Sequence, residues 1–90
     1  MTTYTAYALE VISSLAAHGA CIRTDDGDRP VTVELYEEFL AEVRSIPAAV
    51  SATYALVLPG IDAEFLMLVS SNGLVDVGSP ESIAYIVEHR

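Results

Sequence analysis

The chain has 90 residues, a formal net charge of −9 and a pI near 4.2, with four Arg and no Lys. That balance argues against direct binding to nucleic acid or to an anionic membrane, since both need a basic surface. A lone Cys, Cys21, cannot make an internal disulfide, and no apolar run approaches the ~20 residues that span a bilayer.

Residues 4–18 read as the first helix. Tyr4, Tyr7, Ala8, Val11, Ile12, Leu15 and Ala16 recur at helical spacing, Thr2 or Thr3 can cap the start, and Gly19 suits the left-handed position just past the end. Residues 20–24 read as a short strand. Asp25-Asp26-Gly27-Asp28 turns the chain, and Val31 and Val33 could form a second hairpin arm. The second helix runs from about 32 to 45, capped by Thr32 and ended by Ile46-Pro47.

Residues 48–51 read as a connector, residues 52–58 as a strand, and Pro59-Gly60 as its break. Residues 65–70, FLMLVS, form a strand that is apolar on both faces. It therefore has to be covered on both sides, by helices or by a second molecule. Asn72-Gly73 predicts a two-residue type I′ turn, with residues 74–77 returning antiparallel. Ser79-Pro80-Glu81 then starts a third helix. These elements predict a single α+β domain in the order α-β-α-β-β-β-α. Its antiparallel sheet has three to four strands: a meander over 52–78, with 20–24 as an edge strand.

The stretch Asp25–Glu42 carries the charge. It holds Asp25, Asp26, Asp28, Glu34, Glu37, Glu38 and Glu42 against Arg29 alone, a formal −6 of the chain's −9. On a helix Glu34, Glu37, Glu38 and Glu42 share one stripe, while Leu35, Tyr36, Phe39, Leu40 and Val43 face a core. The stripe spans roughly 12 Å at about 1.5 Å rise per residue. Its charge spacing approaches that of one DNA strand, about 3.4 Å per phosphate. Tyr36, at the stripe's edge, is a candidate apolar anchor.

No catalytic constellation emerges. His18 and Cys21 form H-x-x-C, and His89 is the one further His or Cys, which is short of a four-ligand zinc set. The Asp-rich turn resembles a calcium loop, but counted from Asp26 its fifth and sixth positions are Pro30 and Val31. No G-x-S-x-G, P-loop or G-x-G-x-x-G pattern occurs. Cys21 as a nucleophile has no local support; burial is its ordinary role. The residues imply no cofactor and no metal.

The sequence predicts a non-enzymatic binding protein whose acidic side docks on a basic protein surface, such as that of a nucleic-acid-binding protein. It would be an inhibitor or regulator of the nucleic-acid-mimic kind, like phage anti-defence proteins and toxin antidotes. The competing expectation is a self-associating subunit, a homodimer whose acidity serves only solubility. It is motivated by 52% hydrophobic residues and a mean hydropathy of +0.42 in a small chain. The first residues lack the basic segment of a signal peptide, so the expected location is the cytoplasm (the host's, if phage-encoded).

Overall fold

The computed structural model describes residues 2–89, with side chains from Ala8 onward. Three helices pack on a five-stranded antiparallel sheet, so the α+β class holds and the strand count rises from the expected three to four. The elements are α1 (Thr2–Ala17), β1 (Cys21–Thr24), β2 (Gly27–Pro30), α2 (Val33–Ser45), β3 (Ser51–Val57), β4 (Phe65–Ser70), β5 (Val75–Gly78) and α3 (Pro80–Glu88). The spatial order is β2-β1-β3-β4-β5.

The extra strand is β2. Every one of its residues is exposed, and Gly-Asp-Arg-Pro has neither alternation nor β-branched residues to announce a strand. Its only strand partner is β1, paired from Cys21 opposite Pro30 to Thr24 opposite Gly27 in the described residues. The second hairpin arm therefore lies upstream of Val31 and Val33. Val31 is buried in the core, and Val33 opens α2.

The first helix ends as its sequence predicts. Gly19 adopts φ +72°, its N–H donates to Ala16 O, and the Ala20 N–H reaches back to Leu15 O at 3.0 Å. This doubled closure is a Schellman motif, and it satisfies carbonyls the helix leaves open. The cap expected at Thr2 or Thr3 and the core-facing Tyr4 and Tyr7 fall on side chains outside the described residues.

The β4–β5 connection differs from expectation. Val69 pairs with Val75, Gly73 N donates to Ser70 O, and Gly73 is the left-handed residue at φ +93°. Asn72 has no positive φ, so a type I′ turn is absent. Ser71-Asn72-Gly73 is a three-residue loop of the kind built on a type I turn followed by a left-handed glycine. Asn72 Oδ1 accepts from Leu74 N at 3.2 Å, a local bond that favours this turn.

Strand β4 carries the architecture. Met67, Leu68 and Val69 are all fully buried, which no strand with one wet face can achieve. On one face Met67, Val69, Val75, Leu56 and Ile22 meet Ala8 and Ile12 of α1 and Leu35, Tyr36 and Phe39 of α2 in the main core. On the other face α3 packs chiefly over β4 and β5, burying Ile83. Among the described residues no helix packs closely over the half of that face built by β1 and β3.

Candidate functional site

Helix α2 forms where its sequence places it. Thr32 is the N-cap, and its hydroxyl accepts from Leu35 N at 3.1 Å. Glu34 in the first turn and Arg44 in the last complement the helix dipole. Leu35, Tyr36, Phe39 and Val43 are buried, so the helix cannot rotate without exposing them. Each such burial is worth about 1.5–3 kcal/mol. The opposite side of the helix is consequently held in solvent, and Glu34, Glu37, Glu38 and Glu42 are all exposed on it.

The four carboxylates are not equivalent. Arg29 crosses from β2 to grip Glu38 with both guanidinium nitrogens, at 2.9 and 3.2 Å. Its hydrogen bond and charge hold the Glu38 carboxyl below the usual carboxylate range, and raise Arg29 in turn. Asp26, in the turn before β2, adds a smaller negative field at Arg29. Among the described residues Glu34, Glu37 and Glu42 form no ion pair.

Glu42 stands beside the Tyr54 hydroxyl. That hydroxyl is buried and makes no hydrogen bond of good geometry. Burial first, then the Glu42 charge, pushes the Tyr54 phenol up. Its ring stacks on Phe39, centroid to centroid at 3.8 Å and nearly parallel.

Of the eight residues expected at the site, the structure gathers most but not all. Glu34, Glu37, Glu38 and Glu42 line one helix face, and Asp25 and Asp26 are exposed at the adjoining hairpin tip. Asp28 is divided from them. Strand alternation turns it away from Arg29, and it lies 3.7 Å from Arg23 on the other side of the sheet. Tyr36 is 2% exposed, and its hydroxyl donates to Gly73 O at 2.7 Å. It is a core residue rather than a surface anchor, because one helical step from Leu35 keeps it within the buried arc.

The Arg29–Glu38 pair is a feature the sequence did not reveal. The two residues are nine apart in different elements, and only the register of β2 brings them together. Arg44 likewise leaves the stripe, donating through Nε to Ser71 O at 2.9 Å.

The chemistry raised by the histidines and cysteine is dispersed. His18 Nδ1 donates to Ser14 O, His89 Nδ1 to Tyr85 O, and Cys21 Sγ lies against Gly19 O. Among the described residues no three His, Cys, Asp or Glu side chains are grouped to hold a metal. No helix among them is long and apolar enough to cross a membrane. No protein-family model matches the chain, and no curated protein or solved structure shows significant similarity to it.

Proposed function

We propose that this protein is a small non-enzymatic binding protein whose α2 acidic face, with Asp25 and Asp26 beside it, docks on a basic protein surface. The supporting observation is that Glu34, Glu37 and Glu42 are exposed together on one helix with no cation in pairing range among the described residues. Its α2 is fixed by four buried residues, so the backbone that carries the charges needs no ordering at binding. Such a face suits an Arg/Lys groove that otherwise holds nucleic acid, and the protein would act there as an inhibitor or regulator. The acidic field steers encounter and sets the on-rate, and neighbouring contacts set the lifetime of the complex.

The test is retention of lysate proteins on the immobilised chain at low salt, with release by a salt gradient. The proposal expects basic nucleic-acid-binding proteins to be retained and to leave early in the gradient. It expects the Glu37→Lys/Glu42→Lys variant, with an unchanged circular dichroism spectrum, to retain none of them. Equal retention by the variant, or a retained set that is not basic, overturns it.

A further inference from the structure

With Tyr36 in the core, a different apolar element stands beside the acidic face. Residues 46–50 read Ile-Pro-Ala-Ala-Val, an apolar run in a turn, where polar residues are the rule. Ile46 is 52% exposed and Val50 62%, and Pro47 and Ala48 between them are exposed as well.

Geometry sets this turn against the stripe. Ile46, the C-cap of α2, follows Glu42 by four residues. It is therefore the next position of the row Glu34, Glu38, Glu42, about 6 Å further along the axis. Val50 reaches the same side from the sheet. The bond from Ser71 N to Val50 O extends the β3–β4 register one pair beyond Ser51 and Ser70. Alternation then places Val50 with Ala52 and Tyr54, on the face where the Tyr54 ring stacks on Phe39 of α2. Arg44 lies two residues from Glu42, about 200° around the helix. Its Nε is bonded to Ser71 O, so a cation approaching Ile46 along the row meets Glu42 and not Arg44.

The turn is held in place by its backbone. Ala49 N donates to Ile46 O at 3.2 Å, and Ser71 N to Val50 O at 2.8 Å. Ala48 fills the left-handed position at φ +64°, where Gly or Asn is less strained. Stability alone favours a glycine or polar turn at this point. The chain instead keeps apolar side chains in water on a strained backbone, gathered within one turn rather than scattered, which marks a contact surface.

We propose that residues 46–50 are the apolar anchor of the docking face, and that its occupant is a protein surface with an apolar socket about one helical turn from its Arg or Lys groups. This rests on the docking proposed above for α2. Charge selects the occupant. Glu42 adjoins the turn, and Glu34 and Glu37 lie farther up the same helix with no ion pair among the described residues. A second copy seated on the turn would bring its own −9 and its own Glu42 against this one, and an anionic lipid surface is repelled in the same way. A basic surface gains from both parts of the face. The carboxylates steer the encounter, and burial of Ile46 and Val50 slows release.

The full chain, immobilised, is challenged with two probes. One is an arginine decamer, which offers charge without a socket. The other is the set of basic proteins that the wild-type chain releases in the salt gradient. Ile46→Ser/Val50→Ser removes the anchor at two exposed positions, and circular dichroism checks the fold. The serine variant is expected to bind the decamer as the wild type does, and to release the basic proteins at least about tenfold faster at fixed salt. Glu37→Lys/Glu42→Lys is expected to lose the decamer. Release of the basic proteins from the serine variant at the wild-type rate overturns the inference and leaves charge-based docking standing. A wild type that retains no basic protein overturns both. A wild-type mass that doubles in light scattering, and does not in the serine variant, overturns the inference by showing a second copy on the turn.

Discussion

Tyr36 and Tyr54 carry the same hydroxyl into opposite circumstances. The Tyr36 hydroxyl ties α2 to the β4–β5 loop through the buried Gly73 carbonyl. Tyr36→Phe orphans that carbonyl, and a fall in stability of about 1–2 kcal/mol is expected in urea unfolding. The Tyr54 hydroxyl is buried beside the Glu42 carboxylate with no hydrogen bond of good geometry, so Tyr54→Phe removes a desolvation cost. It should change stability by less than about 0.5 kcal/mol, or raise it. Loss of stability in the second variant equal to the first would show that Glu42 or water holds the Tyr54 hydroxyl.

Burial is the largest cause raising both phenols above the ordinary tyrosine value of 10.0. Their contribution to stability is therefore intact below pH ~10 and is lost as pH climbs through the folded-state values. Alkaline unfolding is expected to accompany their ionisation, as followed by ultraviolet absorbance and circular dichroism together.

Ala48 sits at φ +64°, the third residue of the turn Ile46-Pro47-Ala48-Ala49 closed by Ala49 N to Ile46 O at 3.2 Å. A side chain there carries strain that glycine does not. Ala48→Gly is expected to stabilise by about 0.5–1 kcal/mol after its cost in unfolded-chain entropy. At this chain length that is a rise of roughly 2–8 °C in melting temperature.

At the scale of elements, α2 is positioned twice. Its apolar arc fixes rotation, and the Arg29–Glu38 clamp fixes its distance from the β1–β2 hairpin. Both partners of the clamp are about half exposed, so its weight lies in geometry and local field more than in stability. Arg29→Ala frees Glu38 and removes the one cation from the stripe. It should strengthen retention of basic proteins on the immobilised chain while moving the melting temperature little. Weaker retention would mean that the clamp, rather than the summed charge, shapes the docking face.

The pair also has a defined pH range. The folded Glu38 carboxyl is depressed, so its contribution is present at neutral pH and above the unfolded carboxylate value, and is lost as pH falls through the folded one. The stability difference between wild type and Arg29→Ala should vanish under acid.

At the scale of the whole molecule, a net −9 on 90 residues is self-repelling. Added salt at neutral pH is expected to raise the melting temperature of the monomer at concentrations below any association. A temperature that falls with salt would mean that ion pairs, not repulsion, dominate the electrostatics. Salt thus separates two expectations for the chain: the fold gains from screening, and the proposed docking on a basic surface loses.

Local signals were legible wherever chemistry and geometry act within a few residues. Gly19 ends α1, Thr32 caps α2, Ser79 and Pro80 open α3, and the apolar run of β4 demanded cover on both faces. Those facts follow from hydrogen bonding and periodicity along the chain, and so does the stripe of glutamates. What the sequence could not specify depends on partners distant in the chain. Strand β2 exists because β1 offers it a backbone edge, and Gly-Asp-Arg-Pro gives no side-chain sign of it. Asn72-Gly73 became a three-residue loop because the pairing of Val69 with Val75 set the register. The helical period already turns Tyr36 toward the core, but the acceptor of its hydroxyl, Gly73 O, lies 37 residues away and has no local sign. The division of the acidic stretch, with Glu38 clamped and Asp28 turned to the other face, likewise arises from pairing across the sheet, which no local pattern encodes.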